Sequence, residues 1–594
     1  MSQPSRARAF ARLSLTLSAV SLALFALPAR AAAPETADQT FAASVTPLGA
    51  FADAGTRQPV SISADGRLVA FVSAASNLAA DAPHGVAEAY VKDLETGELT
   101  LASRAGGAEG APANEPPPGE QPQTGIERAL ISANGRYLLF TSRSTNLAGD
   151  ELPLPLEEAE EFFSTHVYRR DLATGETELV DRETGAAGPT HLLEARGEAI
   201  SADGRLVVFR AEAPDLGDPA GEHESTGSGT IYVRDMQAGT TVAVSRASGA
   251  EGELANARGS GGAISADGRF VAFTTFATNP GLGGEANEAE QVYLRGLEDP
   301  FATTLLSRSS PTETDPAGAQ GDGESFEPAF LGADCRVGFS SEASNLAPGG
   351  GPSFQVYVRD LCAATPSTTL VGLDEGGLPF EEAALLGGSG DGRGVLFTGE
   401  TAPGPRHLYL RDLGADRTAL VDRASGAAGP AADLAVEQGA ISANGCRVAF
   451  TSPATNLSAE APPSGGSSQP LQVYVRQLAP CRPAPEESPA SPPAPVGGGG
   501  GPVHGTLAIA GLSRAALRLR FSAPGVAMVR IVRLAGRRGQ RRRPARAFAV
   551  TAAGPGVVRV RLPRLAPGRY RLSARLREAG SPTLTRVLTI ESAR

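Results

Sequence analysis

Ser63-Ala-Asp-Gly-Arg-Leu-Val-Ala-Phe71 is the first of seven related copies in this chain. It returns as Ser132-Ala-Asn-Gly-Arg-Tyr-Leu-Leu-Phe140, Ser201-Ala-Asp-Gly-Arg-Leu-Val-Val-Phe209 and Ser265-Ala-Asp-Gly-Arg-Phe-Val-Ala-Phe273. Weaker copies are Gly332-Ala-Asp-Cys-Arg-Val-Gly-Phe339, Gly390-Asp-Gly-Arg-Gly-Val-Leu-Phe397 and Ser442-Ala-Asn-Gly-Cys-Arg-Val-Ala-Phe450. The aligned Asp or Asn falls at 65, 134, 203, 267, 334, 391 and 444, in steps of 53 to 69 residues. A self-similarity of this period is the mark of a repeat architecture. Asp-Gly between apolar runs is a hairpin signal with both central residues at positive φ. The strand after it is apolar on both faces (Leu68, Ala70 and Val72 against Val69 and Phe71) and needs a layer above and below.

Each copy has a second half. Ala89-Tyr-Val-Lys-Asp-Leu94 is matched by Val167-Tyr-Arg-Arg-Asp-Leu172, Ile231-Tyr-Val-Arg-Asp-Met236 and Val292-Tyr-Leu-Arg-Gly-Leu297. Val356-Tyr-Val-Arg-Asp-Leu361, Leu408-Tyr-Leu-Arg-Asp-Leu413 and Val473-Tyr-Val-Arg-Gln-Leu478 complete the set. A turn such as Glu95-Thr-Gly97 follows, then a short apolar stretch. This makes four strands, a to d, and seven four-stranded blades make a β-propeller. The seventh copy has no strand d. The unassigned strand Thr40-Phe-Ala-Ala-Ser-Val-Thr46 is expected to supply it, closing the ring and removing a free edge.

The Ser-Ala-Asp-Gly-Arg-x-Val-Ala-Phe unit, the Ser-Asn-Leu after strand b and the Tyr-Val-Arg-Asp-Leu strand resemble the TolB-like, WD-repeat-like propeller repeats of secreted bacterial proteins. The resemblance covers residues 40–481 and implies a binding scaffold rather than an enzyme. Related repeats often carry an Asp/Asn-rich b–c loop; here blade one reads Asp81-Ala-Pro-His-Gly.

Of four cysteines, Cys335 and Cys362 in blade five occupy nearly the same places as Cys446 and Cys481 in blade seven. Three pairings are possible, and repeat equivalence selects Cys335–Cys362 and Cys446–Cys481. Metal binding is the competing reading, but no Cys-x-x-Cys or paired histidines support it.

The N-terminus has Arg6, Arg8 and Arg12, the apolar run Leu13 to Leu27 and the small-x-small end at Ala31. Residues 1–31 therefore read as a secretory signal peptide. The run is shorter than the roughly 18–20 residues of a membrane span. No twin arginine precedes it and no cysteine follows it. The expected location is secreted, extracellular or periplasmic, in a bacterium, an oxidising setting that permits disulfides. No transmembrane segment is expected after signal removal.

The chain has 594 residues, 41% of them hydrophobic, enough for a packed core. Residues 482–502, rich in Pro, Gly and Ser, read as a linker. Residues 503–594 alternate apolar residues with arginine, as in Ala516-Leu-Arg-Leu-Arg-Phe521, Ala527 to Arg533, Gly556 to Leu562 and Tyr570 to Leu576. This argues for a small antiparallel β-sandwich, and its ending resembles bacterial immunoglobulin-like or fibronectin-like domains. It holds 20 arginines against 2 glutamates, a net +18, while residues 32–502 carry −34. Only Lys92 is lysine, so much of the arginine reflects a GC-rich gene. Arg537, Arg538, Arg541, Arg542 and Arg543 form a candidate anion-binding loop that could grip an envelope polymer, lipid headgroups or nucleic acid, or dock on the acidic propeller, the bland alternative being a solvated arginine loop. The acidic charge argues against nucleic acid at the propeller.

No catalytic constellation stands out. Gly-x-Ser-x-Gly, His-Glu-x-x-His and P-loop patterns are absent. Seven of nine Tyr recur one per blade, and there is no Trp. The strand-c Arg and Asp recur too and are expected to form structural ion pairs. The repeated Asn77, Asn146, Asn345 and Asn456 are expected to make Asx turns. His84, His166 and His223 fall in or beside the b–c loops of blades one to three, which emerge on one face, so a shared metal is geometrically possible, though neutral loop histidines are far commoner than ligands. The expected function is an exported, non-catalytic propeller binding a protein or ligand, tethered by its basic domain, with no cofactor. The alternatives are a secreted hydrolase or lyase with a central-channel site, and a structural protein with calcium in its b–c loops.

Overall fold

The computed structural model describes residues 37–479 apart from 84, 108, 115–124, 148–164, 186–193, 213–215, 217–228, 280–281, 283–288, 333–334, 352, 402–403, 460–461 and 463–469. Beyond these it describes the backbone of the strands between 507 and 590. The signal segment 1–31, the linker 482–502, Cys481 and Arg537, Arg538, Arg541, Arg542 and Arg543 lie outside the described residues.

Seven antiparallel four-stranded sheets follow one another. Their strands a run Thr56–Ile62, Ile126–Ile131, Ala195–Ile200, Gly259–Ile264, Ser325–Phe330, Glu382–Gly388 and Gln438–Ile441. Each strand a packs against strand a of the next blade, and Thr56–Ile62 packs against Gln438–Ile441. The sheets therefore close into a ring around a central channel, a seven-bladed β-propeller. The seventh sheet takes its outer strand from the N-terminal side: Gln39–Ala42 pairs antiparallel with Gln472–Gln477, in the register Gln39↔Gln477 to Ala42↔Tyr474. The closing strand is shorter than the expected 40–46, although Ala43 N–H still donates to Val473 C=O at 2.7 Å. A single sheet thus holds both ends of the repeat region, and neither end is left as a free edge.

The doubly apolar strand b is buried as its pattern requires; Val69, Ala70, Phe71 and Val72 are all inaccessible to solvent. In each blade the strand-b Phe lies directly across from the strand-c Tyr, as in Phe71↔Tyr90. All seven pairs stack, with centroids from 5.5 Å (Phe140–Tyr168) to 5.9 Å (Phe450–Tyr474). Such a pair contributes about 0.5–1.5 kcal/mol beyond its buried area.

The hairpin differs from the tight two-residue turn expected. Ser63 N–H donates to Leu68 C=O, leaving four residues between, and Gly66 N–H donates to Ser63 C=O. Only the glycine takes positive φ (Gly66, +76°), and Asp65 is not left-handed. The aspartate acts through its side chain instead: Asp65 Oδ1 accepts from Ser63 Oγ at 2.5 Å and Arg67 N–H at 2.9 Å. Hairpins of neighbouring blades are linked by Ala64 N–H to Ala133 C=O, Asn134 N–H to Ala202 C=O and Asn444 N–H to Ala64 C=O.

Cys335 and Cys362 form the expected disulfide, with Cα atoms 5.2 Å apart and a sequence separation of 27. Cys446 is also disulfide-bonded; its expected partner Cys481 is not among the described residues. Closing a loop of this length stabilises a domain by roughly 3 kcal/mol, chiefly by restricting the unfolded chain. The Cys335→Ala/Cys362→Ala variant is therefore expected to lose about that much in denaturant unfolding under oxidising conditions. No loss relative to the intact protein would show that the blade is held by its packing alone.

A second compact unit spans Glu487–Arg594. Leu507–Leu512, Ala516–Phe521 and Gly556–Arg561 form one antiparallel sheet. Arg546–Ala552, Gly525–Arg533, Gly568–Leu576 and Leu584–Ile590 form a second, in that order. Four of these strands match the four stretches read from the alternation.

Candidate functional site

Most repeated polar residues are consumed in holding the propeller together, the strand-c Asp in the ion pair expected of it and the strand-c Arg in several blades otherwise. The strand-c Asp pairs with the hairpin Arg of its own blade: Arg67–Asp93 at 2.6 Å, Arg136–Asp171 at 2.7 Å, Arg205–Asp235 at 2.6 Å and Arg336–Asp360 at 2.8 Å. The Arg136 guanidinium holds the Asp171 carboxyl below the usual carboxylate range. The strand-c Arg does something else. Arg234 Nη1 donates to Arg182 C=O, Glu183 C=O and Thr241 Oγ1, and its Nη2 to Gly185 C=O at 2.9 Å. Arg170 and Arg295 grip the outer loops of their preceding blades in the same way. These arginines are buried and bind blade to blade through backbone carbonyls rather than carboxylates. The correction has a physical basis: a guanidinium presents five donors in a rigid fork, which can serve several carbonyls at once.

The repeated Asn is also reassigned. Asn77 Oδ1 accepts from Asp53 N–H at 3.2 Å and its Nδ2 donates to Phe51 C=O at 2.8 Å. Asp53 returns the contact through Ser76 N–H at 2.7 Å. Asn345 and Asn456 repeat this with Asp322 and Asp433, and Asn146 with Asn114. Each is a two-way clamp between the loop entering strand a and the loop leaving strand b, not an Asx turn.

His166 opens strand c of blade two, where Nδ1 lies 2.7 Å from Asp181 Oδ2 in the interior. His407 makes the same contact with Asp422 in blade six. His84 and His223 lie outside the described residues. Among the described residues, no three His, Cys, Asp or Glu side chains are grouped to hold a metal ion. Much of the b–c loops, where calcium was considered, is outside them as well.

What remains after the repeated residues is the channel lining, and it changes from blade to blade. The a–b pairing slips register in six inner strands, for example between Ile126 and Arg128, between Gly197 and Ala199, and between Phe326 and Ala329. A bulge leaves its residue unpaired in the ladder and re-aims the side chain. The bulged positions of blades two, three and five hold Glu127, Glu198 and Glu327. Glu198 Oε2 accepts from Arg128 Nη1 at 3.1 Å. Glu290, buried beside the bulge of blade four, accepts from Thr274 Oγ1 at 2.6 Å. Glu327 has φ +53°, a strained conformation for a residue preceding proline. Solvent reaches it, yet the surrounding protein pushes its carboxyl up; a 3.4 Å contact from Ser340 and the charge of Arg406 oppose that only partly. In blade six Glu382 and Glu400 stand directly opposite, and Arg406 bridges them at 2.8 and 3.8 Å.

The sequence reading missed these residues because it followed what recurs. The usable signal was the opposite one: the positions two to six residues before each Ser-Ala-Asp-Gly vary in charge from copy to copy. Elsewhere, Phe270, Leu294 and Pro300 line a cavity of about 180 Å³ on blade four, outside the charged channel lining.

No family model and no curated protein matches the chain. Among solved structures it is similar to TolB from Acinetobacter baumannii, at 12% identity over 66% of this chain and 75% of that one, with a TM-score of 0.32. It is similar to the β-propeller domain of the trilobed protease from Pyrococcus furiosus, at 12% over 72% and 98%, with a TM-score of 0.38. It is also similar to an acylaminoacyl peptidase from Pyrococcus horikoshii, at 13% over 71% and 52%, with a TM-score of 0.38. The propeller assignment rests on the strand pairing above. Among the described residues, no helix is long and apolar enough to cross a membrane.

Proposed function

We propose that this protein is an exported, non-catalytic propeller that binds a protein or ligand at the charged mouth of its channel. Its basic C-terminal unit, read as a β-sandwich, serves as an electrostatic tether to an anionic envelope component. One observation carries the first part. Recurrent polar side chains are tied up within and between blades, whereas the charge carried at the strands a changes from blade to blade. A rigid repeated base with a variable charged rim is the usual construction of a recognition surface. The second part rests on the net charge of +18 in residues 503–594.

The test is a pull-down from the organism's envelope fractions with the full mature chain, with Glu327→Gln/Arg406→Gln, and with the five arginines from Arg537 to Arg543 changed to Gln. The channel variant is expected to lose a specific partner. The loop variant is expected to lose only material that salt releases. Equal capture by all three would place recognition elsewhere. The alternative of a channel hydrolase draws support from Glu327 alone, since a general acid needs a raised carboxyl. A turnover assay on Glu327→Gln separates the two readings.

A further inference from the structure

Arg196 and Arg210 are direct cross-strand partners in blade three. Like charges in that position destabilise a β-pair. Blade six has the corresponding acidic conflict between Glu382 and Glu400, and there Arg406 resolves it. Among the described residues no ion pair resolves the basic one; Glu194 and Glu212 follow it in the ladder, where Glu212 N–H donates to Glu194 C=O at 3.0 Å, and Glu194 faces Arg143 at 3.9 Å. A third guanidinium adjoins it: Gly259 N–H donates to Gly229 C=O at 2.9 Å, which sets Arg258 beside the start of blade three's strand c. Gly229 is the surface over which the Arg210 stem passes, because a Cβ there would lie 2.8 Å from Arg210 Cγ and Cδ. Among the described residues, none of the three side chains donates a hydrogen bond or joins an ion pair. The carboxylates that act on Arg210 are Glu198 and Glu212, and Glu198 is already engaged by Arg128. Glu198 is fixed in turn by packing on blade four, where a Cβ at Gly262 would meet its Cβ at 3.1 Å. Arg196 and Arg258 are open to solvent and Arg210 is half-buried. The result is a preformed cluster of guanidiniums in excess over carboxylate, on rigid strands, at the channel mouth.

The geometry points to an oxyanion site at the edge between blades three and four, in which Arg196, Arg210 and Arg258 hold a phosphate or sulfate group and the Arg128–Glu198 pair braces them. With Glu198 engaged by Arg128, three guanidinium forks exceed what Glu212 neutralises and match a tetrahedral dianion, which accepts several charge-assisted hydrogen bonds at once. This inference deepens the binding-scaffold reading by naming the ligand chemistry of the same channel mouth.

The test uses the full mature chain, with inorganic phosphate, inorganic sulfate and succinate as probes at constant ionic strength held with sodium chloride. Calorimetry and thermal melting are the readouts. Phosphate or sulfate is expected to bind and raise Tm. Arg210→Gln and Arg258→Gln are each expected to weaken that binding about tenfold or more. Arg196→Gln is expected to raise Tm in chloride alone, by relieving the like-charge pair, while removing the response to phosphate. A preference for phosphate over sulfate, or the reverse, identifies which ester the natural ligand carries. Succinate binding as tightly as either would overturn the dianion assignment. The site is also refuted if chloride reproduces the whole effect, or if the variants bind as the parent does. The outcome is independent of the envelope pull-down, so failure of one reading is distinguishable from failure of the other.

Discussion

Arg476→Ala is expected to lose roughly 3–5 kcal/mol of unfolding free energy, the range for removing one side of a buried charged contact. Arg476 is almost wholly buried where the two ends of the ring meet. Its Nη1 donates to Asp38 C=O at 3.0 Å, Ala424 C=O at 3.0 Å and Thr40 Oγ1 at 3.1 Å. Its Nη2 donates to Asp38 Oδ1 at 3.0 Å and Gly426 C=O at 3.1 Å. One side chain thus secures the closing strand, the outer loop of blade six and strand c of blade seven. Truncation leaves those carbonyls without their donor and loosens the strand that covers the open edge, so aggregation on heating is expected as well. Arg411 is the internal control. It occupies the same strand position in blade six but, among the described residues, donates to Thr418 Oγ1 and Asp416 and to no loop carbonyl, so Arg411→Ala should cost about 1–2 kcal/mol. Denaturant unfolding of both variants decides the matter. Equal losses would mean that carbonyl clamping is not what holds the ring shut.

Glu88→Gln is expected to stabilise the protein at pH 8–9 and to change little at pH 4. Glu88 begins strand c of blade one and has no solvent exposure. One carboxyl oxygen accepts from Ser103 Oγ; the other, Oε1, has no hydrogen-bond partner. Burial pushes this carboxyl from 4.5 up to about 8, against the opposing effects of the Ser103 bond and Arg104. A folded pKa above the unfolded one means that folding takes up a proton. The stabilisation is complete below about pH 4.5 and is lost as pH rises through about 8. The change is on the order of 3–5 kcal/mol. Three other blades show the remedy. Gln291, Gln355 and Gln472 sit at the equivalent register. Gln291 and Gln472 accept from Ser307 and Ser44 while donating from Nε2 to Gly321 C=O and Ala52 C=O. A neutral amide keeps the Ser103 bond, adds a donor and removes the charge. Melting curves from pH 4 to 9 should therefore slope down for the parent and flatten for the variant. Parallel curves would show that Glu88 does not titrate in this window.

The features that were legible in the sequence are local ones. Strand a, the hairpin, the doubly apolar strand b and the Tyr strand all lie within one repeat. Each follows from side-chain period and turn chemistry acting over a few residues. Blade number follows from counting copies. Even ring closure was readable, because blade seven lacked a strand d and Thr40–Thr46 lacked a sheet. The roles of the polar residues were not readable in the same way. Asn77 looked like a turn residue until its contact with Phe51 was seen, 26 residues away. Of the strand-c arginines, Arg411 and Arg476 do pair with carboxylates, those of Asp416 and Asp38, but the loop carbonyls of the neighbouring blade that Arg170, Arg234 and Arg295 grip lie far away in sequence.

The sequence alone therefore determined the repeat, the four-stranded blade, the count of seven, the closing strand and the Cys335–Cys362 pairing. All of these follow from local pattern or from repeat equivalence. The tertiary structure alone decided which polar groups are used up and which are left over. The bulges in strands a re-aim Glu127, Glu198 and Glu327. Cross-strand register sets Arg196 against Arg210, and the boundary between blades three and four adds Arg258. The bulges and the Arg196–Arg210 pair lie within single a–b hairpins but hang on a register slip that the local pattern does not display, and only the packing of blades around the axis brings Arg258 to them.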